Sequence, residues 1–116
     1  MTEIVRVESK KLLSKAVAHG ATVYLSGLTA QDRCGGIEAQ TVQILSAIDS
    51  LLAECGTNKS RLLSATIWLS DIRNRANMND VWTAWVDPQN LPARACVEAR
   101  LADPDCLVEI QVTAAQ

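Results

Sequence analysis

Four side chains late in the chain have the types that handle a small acid: Arg94, Cys96, Glu98 and Glu109. A guanidinium grips a carboxylate through a fixed two-pronged fork, where a lysine holds it more loosely. A carboxylate such as Glu109 can orient a water and shuttle its proton, and Glu98 is a second candidate for that task. Backbone N–H and C=O groups around Cys96 can hold a ligand's polar atom and the water. Each residue also has a plainer reading. Arg94 can be an interface ion-pair partner, Glu109 can pair with an arginine, and Cys96 can fill space on a polar face, with only Arg94 close by to lower its pKa.

Metal chemistry is poorly served. The cysteines stand at 34, 55, 96 and 106, none in a Cys-x-x-Cys pair, and His19 is the sole histidine. Neither a zinc site nor a disulfide scaffold fits that spacing, so four free thiols in a reducing compartment are expected.

The elements that must position these groups follow from periodicity. Ile4 to Val7 is a short strand candidate. Lys15 to Ala18 and Thr22 to Ser26 flank His19-Gly20-Ala21 and read as a hairpin ended by Ser26-Gly27. A polar loop closes on Gly35-Gly36. Val42, Ile44, Leu45, Ile48, Leu51 and Leu52 then recur at helical spacing, which predicts a helix over about 37–55 with Gly56 as its C-terminal cap. Leu62 to Ser70 alternates, with Ala65, Ile67 and Leu69 on one face. Asp71 or Asn74 can cap a second helix over about 74–86, whose stripe is Met78, Val81, Trp82 and Trp85. Two alternating strands follow. Their apolar sets are Ala93, Ala95, Val97 and Ala99, then Val108, Ile110, Val112 and Ala114.

The order β-β-β-α-β-α-β-β gives an α+β fold, with both helices on one sheet face because each has one apolar stripe to bury. The late alanines are expected to let the helices pack close. The opposite face is then expected to carry Thr66, Trp68, Arg94, Cys96, Glu98, Glu109 and Gln111. A tryptophan on a mixed face suggests a subunit contact. If the last two strands were hairpin neighbours, Arg94 would pair near Thr113, leaving Glu109 about 13 Å away along the strand. That is too far for one small substrate.

Composition bounds the rest. The 116 residues, 48% hydrophobic and 21% charged, suit a single domain over 1–116 that buries about two-thirds of its unfolded surface. Eleven basic against thirteen acidic residues leave a net charge of −2, and no basic stripe stands out beyond Lys10, Lys11 and Lys15. A nucleic-acid partner is therefore not expected. No apolar run is long enough for a membrane span, and the charged stretch from Met1 to Lys11 is not of signal-peptide type, so no membrane partner and a cytoplasmic location are expected.

Leu91-Pro92-Ala93-Arg94-Ala95-Cys96-Val97-Glu98-Ala99, followed by Val108-Glu109-Ile110, resembles the signature region of the RidA (YjgF) family. Asn58-Lys59-Ser60, Ala65-Thr66-Ile67, Met78-Asn79 and Ala84-Trp85 resemble its shorter YoaB-like branch, and the likeness runs from about Ser14 to Ala115. The resemblance implies a chorismate-mutase-like fold, a six-stranded mixed sheet with a further strand between the Arg94 and Glu109 strands, and homotrimers with sites between subunits. It implies hydrolysis of small 2-imino or 2-enamino acids to 2-keto acids and ammonia, without metal or organic cofactor. Carried over by position, Arg94 anchors the substrate carboxylate and Glu109 handles the water. Cys96 lines the pocket, Asn79 reaches the site from its helix, and Ser26 and Gly27 supply lining backbone. Two departures alter the pocket wall. Leu13-Ser14-Lys15-Ala16 replaces the family's Gly-Pro-Tyr, and Ser26-Gly27-Leu28 replaces Ser-Gly-Gln. Two alternatives stay open: a trimeric small-carboxylate-binding or regulatory protein without turnover, and, with less support, an endoribonuclease or translation inhibitor.

Overall fold

A computed structural model describes residues 2–116 of the chain, leaving Met1 outside. Its strands are β1 (Ile4–Ser9), β2 (Ser14–His19), β3 (Thr22–Leu25), β4 (Leu62–Leu69), β5 (Ala93–Glu98) and β6 (Val108–Ala115). Helix α1 (Ile37–Glu54) joins β3 to β4, and α2 (Arg75–Trp85) joins β4 to β5. The strands form one sheet in the order β1-β2-β3-β6-β4-β5. Only β4 and β5 pair in parallel; the other ladders are antiparallel. This is the expected α+β mixed sheet, with β4 between the strands of Arg94 and Glu109.

Local chemistry explains the elements. Gly20 begins the two-residue turn of the β2–β3 hairpin at φ +62, a conformation glycine adopts without a Cβ penalty. At the end of α1, Gly56 sits at φ +76. Gly56 N–H donates to Ala53 O and Thr57 N–H to Leu52 O, the paired bonds that satisfy the last helical carbonyls. The Asp71 side chain accepts from Arg73 N–H and caps the short 3₁₀ turn Ile72–Asn74; Asn74 then precedes α2 without a side-chain cap.

The core lies between the sheet and the two helices. Ile44, Leu45, Ile48, Leu51 and Leu52 of α1, with Met78 and Trp82 of α2, bury against Val23, Leu25, Ala65, Ile67, Leu69, Val108, Ile110, Val112 and Ala114. The alternation of β4 and β6 is therefore as expected. Val42 is not part of it. At 55% exposure it lies on the outer side of α1, one position off the buried stripe.

The phase of β5 is the reverse of the sequence expectation. Residues paired across a ladder share a face, and Ala65, Ile67 and Leu69 pair with Arg94, Cys96 and Glu98. Those three side chains are therefore on the helix side. Ala93, Ala95 and Val97 pair with Ser64, Thr66 and Trp68 on the open face. The physical reason is that β5 is an edge strand. Its helix-side neighbour is the polar rim of α2 rather than the core centre, so polar residues are tolerated there, and its alanines face outward.

One buried polar side chain holds the β6 strand in place. Gln40 of α1 is 1% exposed. Its amide donates to Gly35 O at 3.2 Å and Asp105 O at 3.0 Å, and its carbonyl accepts from Leu107 N–H at 3.0 Å. Arg33 adds an ion pair to Asp103 at 2.8 Å between the same two loops. Replacing Gln40 with leucine keeps its bulk but orphans those backbone groups. Gln40→Leu is expected to lower stability in urea by about 2 kcal/mol or more, since each unsatisfied buried group costs roughly 1–3 kcal/mol. A loss under about 0.5 kcal/mol, the ordinary scatter of neutral surface changes, would contradict this account.

Candidate functional site

The expected residues fall into two groups. The first lies on the helix side of β5. Arg94 Nη1 donates to Asn79 Oδ1 at 2.8 Å, and the guanidinium carbon stands 5.4 Å from the centroid of the Trp82 ring. Asn79 and Trp82 are three residues apart on α2 and so share one helical face. A hydrogen bond on one side and an aromatic face on the other hold the guanidinium in place. Yet no carboxylate among the described residues is within ion-pair range of Arg94; the ion pairs there belong to Arg33 and Arg73. Cys96, two residues on, is half-buried. Burial pushes its thiol pKa up, partly offset by Arg94 and Arg75, so the thiol is poorly suited to be a thiolate nucleophile. Glu98 is committed elsewhere, its Oε1 accepting from Ile72 N–H at 2.9 Å.

The second group lies where β3 ends beside β6. The β3–β6 ladder runs to Tyr24–Thr113, then resumes as a single bridge between Leu28 and Ile110. Ser26 and Gly27 occupy the interruption. Glu109 lies against Gly27. A Cβ on that glycine would meet Glu109 Oε2 directly and Glu109 Cδ at 3.1 Å, so the missing side chain is what leaves room for the carboxylate. Ser26 Oγ is buried with no hydrogen-bond partner among the described residues. Gln111, on the same face of β6, donates to Leu25 O at 3.2 Å.

The two groups do not meet within one chain. Arg94 pairs with Ala65, and Glu109 with Trp68. They are offset by three residues along β4, about 10 Å, and by two strand spacings, about 9.5 Å. They also lie on opposite faces of the sheet, so the placement of Arg94 and Glu109 on one shared face is corrected.

Two further residues on the α2 side of this first group escape a reading of the sequence. Trp82, expected in the core stripe of α2, also forms the seat of Arg94. Arg75 belongs to no motif, although it stands four residues before Asn79 on α2, a spacing that puts both on one side of a helix. Among the described residues no group of three or more His, Cys, Asp or Glu side chains could hold a metal ion, and no helix is long and apolar enough to cross a membrane.

The fold is a six-stranded mixed sheet backed by two helices, with an arginine at its parallel edge that has no ion-pair partner among the described residues, and comparison with known proteins shows the class. The family model described as Endoribonuclease L-PSP matches residues 3–116. A RutC family protein of Haemophilus ducreyi is 40% identical over 112 residues, covering 97% of this chain and 96% of that protein. The RutC family protein YoaB of Escherichia coli K12 is 39% identical over 112 residues, covering 97% of each chain. The crystal structure of a YjgF family member from Neisseria meningitidis superposes with a TM-score of 0.96 at 42% identity, covering 98% of this chain and 95% of that one. The chain belongs to the RidA/YjgF family.

The contact between Gly27 and Glu109 makes a structural prediction. In Gly27→Ala the new methyl occupies the carboxylate's place, so a crystal structure of that variant is expected to show the Glu109 side chain swung away with the β3–β6 ladder intact. A Glu109 carboxylate left unmoved beside the added methyl would contradict the reading of Gly27 as its socket.

Proposed function

We propose that this protein hydrolyses small 2-imino or 2-enamino acids to 2-keto acids and ammonia, at sites assembled between the subunits of a homotrimer. The observation that carries the reading is Arg94, a guanidinium held by Asn79 and Trp82 with no anionic partner among the described residues of its own chain. Such a group has a ligand's carboxylate as its natural complement. Arg94, Asn79 and Cys96 of one subunit are read as the binding half. Glu109, Ser26 and Gly27 of a neighbour are read as the water-handling half. The open sheet face, where Tyr24 and Val97 are about half exposed and Val97 pairs with Trp68, supplies surface for such a contact.

The chemistry balances with water alone. Arg94 and Asn79 fix the substrate carboxylate. Glu109 takes a proton from a water as its oxygen bonds to the C=N carbon, and returns that proton to the imine nitrogen to give a neutral carbinolamine. Glu109 then takes the carbinolamine's hydroxyl proton and passes it to nitrogen as the C–N bond breaks, so ammonia leaves and the keto acid remains. An enamine first takes a proton at its terminal carbon to become the imine. Ser26 Oγ, unpartnered among the described residues of one chain, is read as a group that binds the water or the departing nitrogen.

Carboxylate binding without turnover is the second reading, favoured by the separation of Glu109 from Arg94 in one chain. Cleavage of RNA draws less support from a net charge of −2 and a single histidine.

Two variants separate these readings. Arg94 touches a group present in substrate and transition state alike, and charge-assisted contacts of this kind are worth about 1.5–3 kcal/mol. Arg94→Ala is therefore expected to weaken both keto-acid binding and imine hydrolysis. Glu109→Gln keeps shape but removes the base, and is expected to slow hydrolysis by about 10²-fold or more with keto-acid affinity held within a few-fold. The assay follows ammonia release from 2-aminoacrylate generated in place by a dehydratase. A wild-type protein that does not speed that release, or a Glu109→Gln variant as fast as wild type, hands first place to the binding protein.

A further inference from the structure

The binding half contains a second free cation. Helix α2 and the 3₁₀ turn that leads into it run antiparallel to β5, and two hydrogen bonds tie them to the strand: Arg94 to Asn79 of the helix, and Ile72 N–H of the turn to Glu98. Between those ties, the strand position facing the helix is Cys96, about 7 Å beyond Arg94. The matching helix position is Arg75, one turn or about 6 Å from Asn79 on the same side of α2. Arg75 and Arg94 thus flank Cys96. Both are exposed, and neither is ion-paired among the described residues. The carboxylates nearby are committed: Asp71 to Arg73 at 2.7 Å, and Glu98 to the Ile72 backbone. The two guanidiniums on either side of Cys96 repel one another, and an anion lying between them would relieve that repulsion.

We propose that Arg75 is a specificity-determining residue that binds a second anionic group, so that the site prefers imino and keto acids with an acidic side chain over those with an alkyl one. The inference rests on the reading of Arg94 as the carboxylate anchor. The first carboxylate sits in the Arg94 fork and the carbon chain crosses Cys96. The second carboxylate reaches Arg75, a span that a short dicarboxylate can bridge.

The test compares Arg75→Gln with wild type on two ligands, 2-oxoglutarate and 2-oxobutanoate, by titration calorimetry, and on the imines formed from glutamate and from 2-aminobutanoate by amino-acid oxidases. Arg73→Gln, which removes an equal charge from the same region, is the control. Wild type is expected to bind the dicarboxylate at least about tenfold more tightly, the scale of one charge-assisted contact. Arg75→Gln should erase that ratio and Arg73→Gln should keep it. Because binding is read apart from turnover, the proposal stands or falls even if no imine is hydrolysed, whereas failure of both ligands to bind sinks the Arg94 anchor itself. Equal wild-type affinity for the two ligands, or a ratio that survives Arg75→Gln, overturns the assignment.

Discussion

A parallel strand pair needs a crossover, and the crossover between β4 and β5 is α2. That one connection decides where the chemistry-bearing residues go. It brings β5 to the sheet edge with Arg94 in register with Ala65, beneath the face of α2 that carries Asn79 and Trp82. Had β5 returned as a hairpin partner of β6, Arg94 would have pointed into another neighbourhood and α2 would have had nothing to hold. The antiparallel half of the sheet makes the complementary arrangement. There β3 breaks its ladder with β6 at Ser26-Gly27, and Glu109 fills the gap. Each half is built by backbone topology first and by side chains second.

Much of this was legible in the sequence where one face of an element is decisively apolar. Val108, Ile110, Val112 and Ala114 alternate with Glu109, Gln111 and Thr113, and β6 faces accordingly. The helix bounds, the Gly20 turn and the Gly56 cap followed from equally local signals. Strand β5 lacks such a bias. Its two sets are alanines with a valine against Arg, Cys and Glu, and hydrophobicity alone selects the alanines as the buried set. At an edge strand the choice is made by the neighbours. Alanine suits an open face that another surface can approach closely, while arginine reaches α2 through its long stem.

The candidate site was legible as residue types and by family resemblance, but its division was not. Arg94 and Asn79 meet because of the crossover, and Gly27 and Glu109 because of a ladder interruption; neither is a spacing in the chain. Gln40 carries no visible signal in the sequence, being one polar residue in a helix, yet it ties two loops at the start of β6. Arg75 had a usable signal in its four-residue spacing from Asn79. It gains meaning once α2 and β5 are in register.

The central claim is that two chains complete each site. Mixing subunits tests it most directly. Arg94→Ala and Glu109→Gln chains, each inactive alone, are unfolded together, refolded as a 1:1 mixture and assayed for imine hydrolysis. In a closed ring of three chains assembled at random, about a quarter of the sites receive an intact Arg94 from one chain and an intact Glu109 from its neighbour. The account predicts recovery of about a quarter of wild-type activity. A mixture that stays as inactive as its two components, while wild type refolded the same way regains full activity, would contradict it.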